Sequence, residues 1–330
     1  STFKPIVYAT ALEQGIEPCQ FYSARQVTYA NYNNWTPVNS PPDYDKQYAM
    51  KAALSNSVNT VAVKVMEDGG MNNVIDLAHR MGITSDIPEV PSIALGTAEI
   101  SVMELAKAYT SFLNEGRPAS PFFIKRIENS NGDVLVEFKP EIEEEPVFSE
   151  STRLLMLSMM KGVVEEGTAT RLRWKYGLKN DILGKTGTTQ DNKDGWFVGL
   201  TPRLVTVTWV GADDYRIGFK TTAMGQGANS ALPIFGLMQQ KMITEGGFER
   251  YTEARFPPPS IAIQNALGCA PEKENGFLKK VFVDSNKPKV TEFKLETKTA
   301  DEPKKKEGIF KKIGNIFKRK DKKKKPKKGT

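Results

Sequence analysis

Residues 182–211 contain three runs rich in β-branched and aromatic side chains, I-L-G-K-T-G-T-T, W-F-V-G-L and L-V-T-V-T-W-V-G, joined by Q-D-N-K-D-G and T-P-R. Runs of this kind suit half-buried strands. A parallel crossover needs about a dozen residues or more, so these connections leave only an antiparallel meander. One face of such a sheet has to be covered. A last helix, A-L-P-I-F-G-L-M-Q-Q-K-M at 231–242, would cover it, and 151–166 reads as a helix with Leu154, Leu155, Leu157, Met159 and Met160 inward. Upstream the period is helical. Residues 1–14 place Ile6, Val7, Ala9, Thr10 and Leu12 on an apolar face, with Pro5 in the first turn and Gly15 where a helix stops. Helical pattern returns over 48–54, breaks at S-N-S, continues over 59–66, and recurs at 72–81 and 101–114. A turn-rich loop is expected at 31–44, and two strands, 122–127 and 134–138, around N-S-N-G-D. The expected class is α/β in its α+β form: an antiparallel sheet covered by helices, beside a mainly helical region reaching about residue 115.

The net charge of +7 is unevenly distributed: residues 304–330 hold 14 Lys or Arg against Glu307 and Asp321, so the tail carries +12 and residues 1–303 carry −5. The basic character belongs to the tail rather than to a substrate site. Glu141, Glu143, Glu144 and Glu145 form an acidic, solvated connector. From R-F-P-P-P-S onward the pattern weakens, giving a globular part over 1–253, a Pro-rich extension over 254–303 and the basic tail over 304–330. No run of about 20 apolar residues occurs. Cys19 and Cys269 lack metal-ligand spacing; they suit either a disulfide or two core thiols. The single histidine, His79, sits in D-L-A-H-R-M on a helix and is read as structural, which argues against a Ser-His-Asp triad.

Chemistry therefore has to come from other groups. Three short motifs occur in order: Ser1-x-x-Lys4, Ser57-Val58-Asn59 and Lys185-Thr186-Gly187. Each alone is weak, and Ser158 with Lys161 makes a second S-x-x-K, out of order on a packed helix. Positions i and i+3 share a helix face, so Ser1 and Lys4 can meet one turn apart. A serine hydroxyl needs a base to become a nucleophile, and a lysine serves only when burial and a second cation lower its pKa. Lys185 is the candidate cation, Ser57 a candidate proton relay, and Asn59 an amide that can orient Lys4. Each also has a plainer reading. Ser57 and Asn59 suit caps for the helix that follows, Lys185 a protective edge-strand charge, and Trp196 and Phe197 core positions.

The order of the motifs, with S-T-F-K-P-I-V-Y-A-T-A-L, A-L-S-N-S-V-N-T-V-A-V and G-K-T-G-T-T-Q-D-N-K-D-G-W-F-V-G-L-T-P around them, resembles the transpeptidase domain of class A penicillin-binding proteins over about 1–250. The resemblance implies a β-lactamase/transpeptidase-like fold and a serine D,D-transpeptidase that cross-links peptidoglycan stem peptides and is acylated by β-lactams, with no metal or cofactor. Ser1 would be the nucleophile, Lys4 its base, and the N–H groups of Ser1 and Thr188 the oxyanion donors. Lys185 and the Thr188 hydroxyl would bind the substrate carboxylate, on a strand edge shared with Thr186, Gly187 and Thr189. Gly167-Thr168-Ala169 also resembles a family motif, beside its plain reading as a turn. The family further implies an upstream membrane anchor and glycosyltransferase domain, an extracytoplasmic location at the bacterial inner membrane, and strands preceding the nucleophile. A sheet lacking those strands would show an open edge, and residues 1–330 alone are expected to express poorly as a soluble protein.

Other readings share some of these residues. D,D-carboxypeptidases and serine β-lactamases use the same motifs with water as acceptor. A β-lactam sensor would acylate without turnover, and a hydrolase with an N-terminal nucleophile would use the Ser1 amine as base. In the tail, Ile309, Phe310, Ile313, Ile316 and Phe317 make one helical stripe among lysines, suiting either an anionic membrane surface or a solvated segment; nucleic acid is the weaker alternative.

Overall fold

The computed structural model describes residues 1–214, 216–270 and 288–294. The basic tail, with its expected lipid contact, lies outside the described residues. Helices α1 (Lys4–Glu13), α2 (Met50–Ser55), α3 (Asn59–Gly69), α4 (Met71–Arg80) and α5 (Val102–Leu113) build the helical part. Strands β1 (Phe21–Ser23) and β3 (Gln47–Ala49) pair antiparallel beside β2 (Val27–Tyr29). A hairpin of β4 (Arg126–Glu128) and β5 (Val134–Glu137) precedes α6 (Glu150–Glu165) and the one-turn α7 (Arg171–Trp174). Then come β6 (Leu183–Thr188), β7 (Gly195–Thr201) and β8 (Leu204–Val210), the antiparallel meander expected from the short connections. The short α8 (Thr222–Gly225), α9 (Leu232–Glu245), α10 (Glu249–Thr252), α11 (Ile261–Leu267) and β9 (Lys289–Thr291) complete the order.

Helix α1 is the axis of the body: Lys4 through Leu12 are all buried. A helix apolar on every side can only sit inside, and side chains such as Ile6, Val7 and Leu12 contribute roughly 1.5–3 kcal/mol each by leaving water. It crosses α3 closely, because a Cβ on Gly69 would stand only 3.2 Å from the Ala11 Cα. Helix α6 packs against α1, α2 and β6 at once, so the sheet and the helical part share one core. Helix α9 covers β7, with Phe235 and Phe197 rings 5.2 Å apart, in a second cluster that includes Leu172 and Ile182.

Two expectations need correction. The first helix begins at Lys4 rather than at residue 1; Ser1 to Phe3 form the turn that enters it, closed by Lys4 N–H donating to the Ser1 carbonyl at 3.2 Å. The strand expected over 122–127 begins only at Arg126, and Phe122, Phe123 and Ile124 are exposed. Pairing starts where Phe138 N–H reaches the Lys125 carbonyl, so the apolar run before it has no partner strand among the described residues.

The described part of the Pro-rich extension does not stand apart from this body. Strand β9 pairs parallel with β2, and Phe293 is 2% exposed against Tyr29 and Tyr32. Asn31 clasps the backbone of Phe293 through both its amide nitrogen and its oxygen. Ile263 of α11 enters the main core, and Cys19 is disulfide-bonded to Cys269. Weak apolar periodicity gave no sign of this return. The contacts come from isolated residues, not from an amphipathic element. In the sheet, β8 pairs with β7 alone among the described residues, and every one of its residues is at least partly exposed.

Candidate active site

The three motifs meet at the floor of a cleft of about 720 Å³, whose lining includes Ser1, Ser57, Asn59, Thr186, Thr188 and Thr189. Ser1 stands on the turn into α1, which Tyr109 fixes by donating its hydroxyl proton to the Thr2 carbonyl at 2.6 Å. One turn on, Lys4 is wholly buried, and its Nζ donates to the Ser57 carbonyl at 2.6 Å, to Ser57 Oγ at 3.1 Å and to Asn59 Oδ1 at 2.6 Å. From the opposite wall Lys185, also wholly buried, donates to Ser57 Oγ at 2.8 Å and to the Thr186 carbonyl at 2.9 Å. Ser57 Oγ therefore sits between two amines.

Local backbone explains how one serine offers two oxygens to Lys4. Helix α2 ends at Ser55, and Ser57 takes a left-handed conformation, φ 58°, before α3 begins. A non-glycine residue there costs roughly 1–2 kcal/mol, strain of the kind held at functional sites. The S-N-S break turns both the Ser57 carbonyl and hydroxyl toward Lys4. The plain reading of Ser57 and Asn59 as caps is not what the structure contains: α3 has Val58 at its N-cap position, and the Ser57 and Asn59 oxygens are spent on Lys4.

Electrostatics follow from burial. Loss of water, and next the charge of Lys185, hold the Lys4 ammonium well below its ordinary range. Burial alone pushes Lys185 down to about 7. Two buried lysines thus reach Ser57 from opposite walls, and the charge of Lys185 favours the neutral form of Lys4.

Strand β6 forms the second wall. Gly187 is required at its contact with Thr2: a Cβ there would come 2.9 Å from Trp196 Cβ and 3.2 Å from Thr2 Cγ2. Thr188 Oγ1 accepts from Gly227 N–H at 3.0 Å, which leaves its own proton free for the cleft. Thr189 Oγ1 accepts from Asp194 N–H at 3.0 Å and shapes the turn that follows. Thr186 Oγ1 lies 2.7 Å from Thr168 Oγ1. Thr168 is thus part of the wall, although G-T-A suits a simple turn equally well in sequence. Gly167 beside it touches backbone: a Cβ would fall 2.2 Å from the Ser55 carbonyl oxygen.

The remaining residues fall where their plainer readings put them. Ser158 Oγ donates to Leu154 within α6, and Lys161 is half-exposed near Asp181, away from the cleft. His79 Nδ1 lies 2.8 Å from the Ile83 carbonyl at the end of α4. Phe197 is core, and Trp196 is half-buried against Trp209. Sequence reasoning also passed over Asn39, buried in the turn-rich loop and bonded to Thr60 beside Asn59. Its signal was diluted among the many Asn and Pro of a segment that reads simply as surface loop.

A serine at the head of a buried helix, a lysine one turn on, a second serine between helices and a lysine-bearing antiparallel strand define the class of penicillin-recognising serine enzymes. Residues 1–216 match the penicillin binding protein transpeptidase domain, and the chain belongs to that family. Penicillin-binding protein 1A of Aquifex aeolicus (strain VF5) is 34% identical over 299 residues, covering 88% of this chain and 39% of that protein. The Neisseria cinerea protein of the same name is 33% identical over 247 residues, covering 71% of this chain and 30% of that one. This chain thus spans well under half the length of those relatives. Among solved structures, Haemophilus influenzae penicillin-binding protein 1A superposes with a TM-score of 0.68 at 25% identity over 78% of this chain and 43% of that one. PonA1 of Mycobacterium tuberculosis, in complex with penicillin V, gives 0.64 at 25% identity over 79% of this chain and 71% of that one.

Proposed function

We propose that this chain carries the D,D-transpeptidase activity of a peptidoglycan synthase, forming cross-links between stem peptides through an acyl-enzyme on Ser1. The observation that carries it is Ser57 Oγ held between two buried, pKa-lowered lysines at the mouth of the Ser1 turn. Neutral Lys4 takes the Ser1 hydroxyl proton as Oγ attacks the D-Ala–D-Ala carbonyl. The oxyanion forms between the N–H groups of Ser1 and Thr188, each such donor contributing about 3–4 kcal/mol of barrier lowering. As the intermediate collapses, the C–N bond breaks and the proton on Lys4 passes through Ser57 Oγ to the departing D-Ala amine. An amine of a second stem peptide then attacks the ester, giving up its proton along the same path, and Ser1 is restored. Lys185 and the Thr188 hydroxyl hold the donor's terminal carboxylate, while Thr186, Gly187 and Thr189 shape the strand it lies along. Water as acceptor would make the same site a carboxypeptidase.

The same reading places the natural protein at the outer face of the bacterial inner membrane, joined to a glycosyltransferase domain. No helix among the described residues is long and apolar enough to cross a membrane. The basic tail, if it acts on a partner, meets anionic lipid. The test is labelling by a fluorescent penicillin, followed by assays of D-Ala release and cross-linking. Label and turnover should both vanish in Ser1→Ala. Label that persists in that variant removes Ser1 from the mechanism, and label without any turnover marks a sensor instead.

A further inference from the structure

Helix α3 begins without a cap of its own. The first turn of a helix leaves backbone N–H groups without partners, normally met by a Ser, Thr, Asp or Asn at the N-cap. Here that position is Val58, whose side chain accepts nothing. The polar neighbours that could serve, Ser57 and Asn59, are engaged by Lys4. The acceptor comes from elsewhere in the chain: Asn39 Oδ1 receives the Thr60 N–H at 3.0 Å.

We propose that Asn39 is a positioning residue of the acylation site, a cap supplied to α3 from the 31–44 loop that leaves Ser57 and Asn59 free to hold Lys4. Its remaining bonds make it a clamp. Asn39 Nδ2 donates to Thr60 Oγ1 at 3.1 Å and to the Asp43 carbonyl at 2.9 Å, and Thr60 Oγ1 passes its own proton to the Ala24 carbonyl at 2.9 Å. One residue along each strand of this contact, Asn59 Nδ2 donates to the Val38 carbonyl at 2.7 Å. That bond fixes the plane of the Asn59 amide, and with Nδ2 anchored on Val38, Oδ1 faces Lys4. Residues 38–39 and 59–60 are thus tied in both directions.

Asn39 is 6% exposed, and both its amide protons and its oxygen are engaged within the protein. It has little left to offer a substrate, so its influence passes through Asn59 and Thr60. If its side chain is removed, the buried Thr60 N–H loses its acceptor, a costly vacancy. Ser57 and Asn59 are the polar side chains beside it in the chain, and turning either toward the vacancy takes it from Lys4. An Asn59 drawn away also removes an acceptor from the Lys4 ammonium, which favours its neutral form.

This role rests on the serine-acylation reading above, and the test separates the two. In the intact protein, Asn39→Ala should slow acylation by a fluorescent penicillin about tenfold or more, as displaced catalytic groups do. The acid limb of its pH profile should move to lower pH, and hydrogen exchange should rise at residues 58–62. Asn39→Asp keeps the oxygen that caps Thr60 but sets its second oxygen against the Asp43 carbonyl and Thr60 Oγ1. It should therefore recover part of the rate, where Asn39→Ala recovers none. Ser149→Ala, which removes the cap of α6 instead, should lower the melting temperature and leave acylation unchanged. Wild-type acylation rate and pH profile in Asn39→Ala, with only exchange or melting altered, overturns the positioning role. An unlabelled parent protein overturns the acylation reading, and this role with it.

Discussion

At the scale of single residues the site is a problem of two lysines and, among the described residues, no buried counter-charge bonded to either. Lys4 and Lys185 both reach Ser57 Oγ, and burial pushes both toward the neutral amine. Removing the base, Lys4→Ala, should cut acylation by about 10²- to 10⁴-fold, the usual worth of a positioned general base, with little loss of penicillin binding before acylation. Stopped-flow separation of the two steps checks this. Burial of Lys185 also has a stability signature. Its folded value is about 7 against an ordinary 10.5. Between the two, the unfolded chain binds a proton that the folded chain has released, so stability rises with pH across that window. Below about 7 both states are protonated and the contribution of Lys185 is flat. Melting temperatures followed between about pH 7 and 9 should climb in the parent and climb less in Lys185→Met. An equal climb in both assigns the slope to another group.

At the scale of elements, the strands and helices were largely legible, because each depends on nearby residues. The meander followed from two short connections, α6 from its apolar stripe, and α9 from a stripe that had a sheet to cover. What could not be read were contacts made by one side chain or one missing Cβ. Ser1, Lys4, Ser57, Asn59 and Lys185 were legible as an ordered set. The oxygen-by-oxygen division of Lys4 between Ser57 and Asn59 was not, since it depends on the left-handed Ser57. Gly167 and Thr168 stood out by resemblance, but their contacts were hidden for the same reason, because a G-T-A turn shows its neighbours only after α6 has been laid against α2. Gly167→Ala therefore tests the seam between the α6–α7 turn and the Ser55–Ser57 turn. Its Cβ would meet the Ser55 backbone at 2.2 and 2.8 Å, which no side-chain rotation relieves. The two turns must move apart, and acylation should fall by about an order of magnitude or more. Thr168→Ser keeps the hydroxyl near Thr186 and should act as the parent does, while Thr168→Val should not.

At the scale of the whole molecule, the C-terminal extension determines how much of the fold acts as one unit. The Cys19–Cys269 disulfide closes a span of 250 residues. In the chain-entropy picture a loop of that size restrains the unfolded chain by about 5 kcal/mol, with engineered and natural cases commonly giving less. The same segment carries β9 and the buried Phe293, so its anchoring is both covalent and apolar. It also approaches the site: Lys51 Nζ, on α2, donates to the Leu267 carbonyl at 2.6 Å, and α2 runs directly into the Ser57 turn. The question is whether that link positions Ser57 or merely steadies the body. Ser57 is gripped from two sides by Lys4 and Lys185, whose bonds do not pass through α11, whereas Lys51 meets the extension about one and a half turns of helix earlier. The double variant Cys19→Ser, Cys269→Ser should therefore lower the melting temperature by several degrees and open residues 254–270 to protease. Its acylation rate at 25 °C should stay within about twofold of the parent. Loss of acylation in step with the extension's release would make that segment a support of the active site rather than of the fold alone.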